Sequence, residues 1–149
     1  MLHVGAQGDQ PLSIALFLKL GLDINSRDQR QSTPLHWAAF AGAEMSLSYI
    51  LSWGAQINLQ DVNGLTPLHL AVKTAENMNS TRTIRALLLK GADPSIQDYR
   101  GMTPLDYLDE FSSHTPEKVE LIKDIYHLLH EEEKTFWSYL NPFTNSDCF

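Results

Sequence analysis

Apolar residues in this chain form short clusters separated by polar turns that contain glycine. Each Thr-Pro pair is followed by a run of apolar and small residues that predicts a short helix. After a polar connection, a second apolar cluster with helical spacing predicts another helix. The first helices are predicted at 35–41, 68–74 and 105–111. The second-helix clusters are Leu47, Ile50 and Leu51, and then Ile84, Leu87 and Leu88.

The clusters belong to an internal repeat. Thr-Pro-Leu recurs at 33–35, 66–68 and 103–105, and a glycine precedes each proline by thirteen positions. The opening segment 2–6 is similar to the segment 35–39 and stands in the same frame. A period of this length is typical of stacked repeats. The predicted array spans 1–135, with units near 1–32, 33–65, 66–102 and 103–135, and an aromatic tail or linker follows at 136–149.

The repeated residues suit the ends and the contacts of helices. Threonine before proline is typical of an N-cap followed by the first helical position. The glycine after each second helix suits a left-handed C-terminal cap. Small alanines at Ala38, Ala39 and Ala71 would let the helices of neighbouring units approach closely.

These motifs resemble those of the ankyrin-repeat family. The resemblance rests on the segments 33–39, 66–72 and 91–98 and covers about residues 2–130. It implies an all-α solenoid of stacked helix–turn–helix units with short β-hairpin fingers and a concave face. It also implies that partners are usually proteins, which contact the finger tips and first helices without catalysis.

Several positions depart from the pattern. Gln31 replaces the turn glycine found at Gly64 and Gly101, so the first finger is expected to be strained or differently shaped. Four extra residues near 75–81 are expected to lengthen a loop, and a long terminal helix is predicted from 116 to about 133. Because Met1 stands where a proline is expected, the chain is interpreted as a piece of a longer protein or as beginning within an array.

Charge and composition exclude several classes of function. The net charge of −7 lies entirely in the segment 105–149, and no basic stripe is available to bind nucleic acid. No run of about 18 apolar residues predicts a membrane span, so membrane insertion by this segment is not expected. Cys148 is the single cysteine, which favours an intracellular, cytoplasmic location, including the cytoplasmic face of a membrane if the chain is part of a longer protein.

Catalytic, metal and cofactor roles are not predicted. His3, His36 and His69 recur in step with the repeat, but like positions of stacked units are too far apart to share one metal ion. We therefore expect each histidine to hydrogen-bond with the threonine and turn of its own or a neighbouring unit. No phosphate-binding loop or nucleophile motif is present in the sequence, so this segment is not expected to be an enzyme.

The expected binding surface consists of the finger tips and the inner helices. Arginine and aromatic residues, which often dominate interface energetics, occur in it, and apolar residues stand where exposure is expected. The predicted partner-binding residues are Gln29, Arg30, Phe40, Trp53, Val62, Asn63, Leu65, Lys73, Tyr99, Arg100, Met102, Glu110 and Phe111.

Two functional hypotheses follow. The first is a monomeric, non-catalytic module that binds a partner protein or extended peptide on its concave face. The alternative is a regulatory or substrate-recruiting domain of a larger membrane enzyme, such as a palmitoyltransferase, or of a channel. Aromatic residues in the tail, including Phe136, Trp137 and Tyr139, would suit a segment leading to a membrane interface or one folded onto the last unit.

Overall fold

The computed structural model describes residues 2–110 and 120–129. Within them, all regular secondary structure is helical, and no helix is long and apolar enough to cross a membrane. The helices are α1 (Leu2–Gln7), α2 (Pro11–Lys19), α3 (Pro34–Ala41), α4 (Glu44–Ser52), α5 (Pro67–Met78), α6 (Arg82–Leu89) and a 3-10 helix (Pro104–Glu110). The last helix of the described residues, α7, occupies 120–129.

The helices form two rows. The inner row consists of α1, α3, α5 and the 3-10 helix, each packed on the next, while α2, α4 and α6 form the outer row. Equivalent positions of the outer row, Ile14, Leu47 and Ile84, are completely buried. Ala38, Ala39 and Ala71 are also completely buried in the inner row, as the close approach of these helices requires. One hydrophobic core therefore runs through all the described units.

The predicted starts of the first helices are confirmed in the two central units. The side chains of Thr33 and Thr66 accept the backbone N–H three residues ahead, and a proline begins each helix. Glycines 21, 54 and 91 follow the second helices with left-handed backbone, as expected. The local signals thus correctly predicted where α3 and α5 begin and where the second helices end.

The fingers are tight turns at 28–32, 61–65 and 98–102. In each, the N–H of the first residue donates to the carbonyl of the fifth, at 2.9–3.0 Å. No strand is formed in the described residues, so the expected hairpins consist of these turns alone. Gln31 has a left-handed φ of 59° within the same hydrogen-bonded turn, which indicates a strained residue rather than a different turn.

Successive fingers are joined by their backbones. Val62 N–H donates to the Arg30 carbonyl at 2.9 Å, and Tyr99 N–H donates to the Asn63 carbonyl at 3.1 Å. Gly64 lies directly beneath the third finger, where a Cβ would come within 2.6 Å of the Tyr99 backbone nitrogen. The fingers therefore form a stack in which backbone groups are paired and most tip side chains remain exposed.

Two expectations about the later units are wrong. The extra residues of the third unit do not lengthen a loop: they continue α5 to Met78, and only residues 79–81 separate it from α6. The helix expected at 105–111 is instead the 3-10 helix Pro104–Glu110, with position 111 outside the described residues. Of the long helix predicted at 116–133, only 120–129 is described, and its Leu121, Ile125 and Leu129 join the core.

Leu88 tests the packing between units, with its neighbour Leu89 as a matched control. Leu88 is 4% exposed and Leu89 is 83% exposed. Leu88→Ala should reduce the free energy of unfolding by about 2–5 kcal/mol, because it removes buried methyl groups and leaves a cavity. Leu89→Ala should change it by no more than about 0.5 kcal/mol in either direction. Urea unfolding followed by circular dichroism measures both, and equal losses would show that α6 is incorrectly oriented.

Gly64 and Gly101 form a second matched pair. Both have φ of 79°, but among the described residues only Gly64 has a neighbour within 4 Å of the position that a Cβ would occupy. Alanine at either position should cost about 1–2 kcal/mol for the left-handed backbone. Gly64→Ala should cost about 1–3 kcal/mol more, because the third finger must shift. Equal destabilisation of the two variants in urea would contradict the close stacking of fingers.

Candidate functional site

Buried histidines join the inner helices to the fingers. The Nδ1 atom of His36 accepts the Thr33 backbone N–H at 3.1 Å, and its Nε2 lies 2.9 Å from the Leu65 carbonyl of the next finger. His69 repeats the arrangement with Thr66 and with the Met102 carbonyl. Since an N–H can only donate and a carbonyl can only accept, each imidazole is neutral, with its proton on Nε2.

The first histidine makes a related contact. The Nε2 atom of His3 lies 2.9 Å from the Ser32 carbonyl and 3.2 Å from the Ser26 carbonyl. All three recurring histidines thus bond to the turn that follows their own helix pair. The prediction that they are structural hydrogen-bonding groups is confirmed.

Burial lowers the pKa of His36 below its ordinary value of 6.5, because the charged imidazolium loses hydration. The Leu65 carbonyl and the Asp61 charge act in the opposite direction but do not compensate. The pKa of His69 is lowered for the same reason, against the influence of the Met102 carbonyl and Asp98. Both links therefore depend on neutral imidazole.

Aspartates organise the fingers. Oδ1 of Asp28 accepts the N–H groups of Arg30 and Ser32, and its Oδ2 accepts the indole N–H of Trp37 at 2.8 Å. Burial raises the pKa of the Asp28 carboxyl, but hydrogen bonds from Trp37 and from these two backbone groups outweigh it, so the pKa lies below its ordinary value. The aspartate is thereby held as a carboxylate at neutral pH.

Asp98 has the same arrangement in the third finger. Its Oδ1 accepts the N–H groups of Arg100 and Met102, and its Oδ2 accepts the hydroxyl of Tyr107. Desolvation again acts to raise the pKa of the Asp98 carboxyl, but these hydrogen bonds lower it below its ordinary value. Both flanking fingers are thus fixed to an aromatic residue of the inner row.

Two adjoining cavities lie between the fingers and the inner helices. The first, of about 250 Å³, lies between α3, α5 and the first two fingers, and the second, of about 360 Å³, lies beside the third finger. Val62, Asn63, Leu65 and Lys73 line both cavities, so the two form one continuous surface, which we call the inner groove.

Most of the predicted partner-binding residues come together in the inner groove. The first cavity also includes Arg30 and Phe40, and the second includes Tyr99 and Arg100. Phe40, Val62 and Tyr99 are 48%, 53% and 72% exposed, so apolar side chains do face solvent here. Lys73 lies with its Nζ 4.9 Å from the centre of the Tyr107 ring, a cation–π arrangement at the edge of the groove.

Other predicted residues are placed differently. Leu65 is only 7% exposed, so the expectation that it is solvent-exposed is wrong: the finger packs its side chain into the core. Met102 is likewise partly buried against the core. Trp53 caps the end of α4 in the outer row, with its ring 6.3 Å from that of Tyr49, away from the described residues of the groove.

The remaining predicted residues lie at the margins. Gln29 is exposed at the first finger tip. Glu110 ends the 3-10 helix, but its side chain is outside the described part of the chain, as is the whole of Phe111. Their expected part in binding stays a prediction.

Sequence reasoning missed two aromatic residues of the inner row. Trp37 lies between Asp28 and Phe40, and its ring meets that of Phe40 edge to face with centres 6.2 Å apart. Tyr107 is buried and lies between Asp98 and His69. The available signal was their spacing, since each lies nine positions after the aspartate that begins its finger.

The comparison with known proteins agrees with the repeat geometry. A family model described as Ankyrin repeats (3 copies) matches residues 2–98, which is more than half of the chain. The match includes both buried histidines and the first two fingers, and it ends at the aspartate that begins the third finger. No curated protein matches the chain.

The two buried histidines predict an acid-sensitive fold. Because their folded pKa values lie below 6.5, the unfolded chain binds more protons as the pH falls. Their contribution to stability should be complete above about pH 6.5 and decline below it, by at most about 1.4 kcal/mol per pH unit for each histidine. The contribution of Asp28 and Asp98 should be lost separately, only as the pH falls below 3.8 and through their lower folded pKa values.

Thermal unfolding between pH 7.5 and 5.0 measures this effect. His36→Gln is the matched variant, because the amide can accept and donate hydrogen bonds but does not titrate in this range. Its melting temperature should be lower than that of wild type at pH 7.5 but should decline less with acid. An equal decline in both proteins would rule out protonation of His36 as a cause.

Proposed function

Since this chain belongs to the ankyrin-repeat family, we propose that it is a non-catalytic module whose inner groove binds a partner protein or an extended peptide. Members of this family are in general protein-interaction modules. The observation that carries the proposal is the exposure of Phe40, Val62 and Tyr99 along one groove. Burying such side chains against a partner is the usual source of interface free energy.

The surroundings of these residues support the same proposal. Arg30, Lys73 and Arg100 line the groove around the apolar side chains. An apolar centre with a polar rim is typical of protein-binding surfaces, and arginine is enriched in them. The backbone beneath is held by the finger stack, so little ordering of the main chain would oppose binding.

The capture of partners from a cell lysate by the full chain, followed by mass spectrometry, tests this proposal. The wild type is compared with a Tyr99→Ala/Arg100→Ala double variant and with Phe40→Ala. A partner of the groove should be lost or depleted with these variants, and its Kd should rise at least about 30-fold for the best of them. Each variant should retain the circular dichroism spectrum of wild type, because the side chains of Tyr99, Arg100 and Phe40 are exposed.

Lys123→Ala and Trp53→Ala are the controls. Lys123 is exposed on α7 and Trp53 is exposed at the end of α4, both outside the described lining of the groove. Both substitutions should leave binding unchanged. Binding that depends on the acidic segment 117–133 and collapses with added salt would contradict the groove as the binding site.

A further inference from the structure

The aspartates that begin the three fingers differ in one respect. In each of Asp28, Asp61 and Asp98, Oδ1 accepts two backbone N–H groups of its own finger. Oδ2 of Asp28 also accepts the indole N–H of Trp37, and Oδ2 of Asp98 accepts the hydroxyl of Tyr107. In the first and third fingers, both carboxylate oxygens of the aspartate therefore accept hydrogen bonds, and the donor to Oδ2 is an aromatic side chain in each.

Among the residues that the structure describes, the middle finger has no such donor. Leu70 occupies the position equivalent to Trp37 and Tyr107, nine positions after the aspartate of its finger, and its side chain cannot donate a hydrogen bond. Across residues 2–110 and 120–129, no donor lies within hydrogen-bonding distance of Asp61 Oδ2. Although Asp61 as a whole is only 7% exposed, its Oδ2 is not a fully buried atom, so a donor that enters from outside can reach this oxygen and form a hydrogen bond to the carboxylate.

Asp61 and Leu70 both line the first cavity of the inner groove. Its walls include Trp37 and the half-exposed Phe40 and Val62, so the cavity of about 250 Å³ combines apolar walls with one carboxylate. A planar apolar group carrying a single hydrogen-bond donor complements this combination.

We propose that this cavity is a subsite for a tyrosine or tryptophan side chain of the partner, whose O–H or N–H donates to Oδ2 of Asp61. The inference rests on the proposed function, because it names the side chain that the inner groove would take. The two flanking fingers already show this pairing within the chain, with Trp37 and Tyr107. The partner would thus supply to the middle finger the aromatic donor that Trp37 and Tyr107 supply to the first and third fingers.

The charges of the cavity favour a neutral donor over a cation. Arg30 and Lys73 line the same space as Asp61. A lysine or arginine side chain of the partner would meet these positive charges, whereas a phenol or an indole would not. Aromatic side chains also match the apolar walls, which would give an ammonium group no hydrogen-bond partner.

The subsite can be tested without knowing the partner. The full ¹⁵N-labelled chain is titrated with p-cresol, which carries the tyrosine side-chain group, and with toluene, which lacks the hydroxyl. We expect p-cresol to shift amide resonances around the cavity, notably those of Asp61, Val62 and Leu70, and toluene to bind about tenfold more weakly. Asp61→Asn should weaken p-cresol binding by a similar factor, since its Oδ1 can keep the turn while the NH₂ group replaces the acceptor.

Equal affinity for p-cresol and toluene would overturn the proposal, as would shifts that persist unchanged in Asp61→Asn. The absence of shifts at the cavity would also overturn it. The heteronuclear spectrum of Asp61→Asn serves as the folding control, because dispersed resonances outside the cavity should match those of wild type.

A second measurement supplies the missing donor from within the chain. Leu70→Tyr should raise the melting temperature relative to Leu70→Phe, by roughly 2–8 °C, and should abolish p-cresol binding. When Asp61→Asn is also present, the Leu70→Tyr and Leu70→Phe variants should have the same melting temperature. A tyrosine variant no more stable than the phenylalanine variant with Asp61 intact would show that Oδ2 does not accept a donor from this position.

Failure of this inference is distinguishable from failure of the proposed function. If captured partners are lost with Tyr99→Ala/Arg100→Ala but bind Asp61→Asn and Leu70→Tyr as tightly as wild type, the groove is correct and the subsite is wrong. If p-cresol binds as expected but no partner depends on Phe40, Tyr99 or Arg100, the proposed function is wrong.

Discussion

Each inner helix of the central units is joined to the finger that follows its own helix pair through a buried imidazole. His36 pairs with the start of its own helix at one nitrogen and with the Leu65 carbonyl, 29 residues later, at the other. Breaking either bond would leave a buried polar group unpaired, at a cost of about 1–3 kcal/mol. The fingers are therefore held at a defined position above the helices, and the groove between them depends on that position. The same bond makes the array sensitive to protonation, because only neutral imidazole can accept and donate in this way.

The repeat tolerates variation where it does not disturb these links. The third unit has four extra residues, and the bridge from His69 to Met102 is accordingly longer in sequence than the bridge from His36 to Leu65. These residues extend α5 by about one turn at the end remote from the finger, so both ends of the bridge keep the geometry of the preceding unit. At the fingers the backbone is likewise paired and constant, whereas the side chains at the equivalent tip positions Gln29, Val62 and Tyr99 differ from one unit to the next. This division separates the residues that maintain the fold from those available for recognition.

Equivalent positions of the repeat differ in hydrogen bonding in a way that one unit alone would not show. An aspartate nine positions before an aromatic residue would be ordinary by itself, and so would an aspartate nine positions before Leu70. Only the three fingers taken together show that, within the described part of the chain, the second oxygen of Asp61 lacks a donor that its counterparts have. This oxygen is an acceptor that a donor from outside can reach, and a partner able to supply the hydrogen bond would stabilise the folded domain by binding to it.

The repeat, the starts of α3 and α5 and the structural part played by His36 and His69 could be predicted from the amino-acid order, because these features depend on residues a few positions apart or on a regular spacing. Which side chains face the groove, in contrast, depends on how the units pack together. Leu65 is buried and Trp53 lies in the outer row because exposure depends on packing against neighbouring units, which are distant in the sequence. The same holds for Trp37, whose bond to Asp28 crosses from helix to finger, and for the continuation of α5, where helix formation prevailed over a loop. The spacing of residues along the chain specifies the helices, whereas the side chains that these helices expose are decided by how the units pack together.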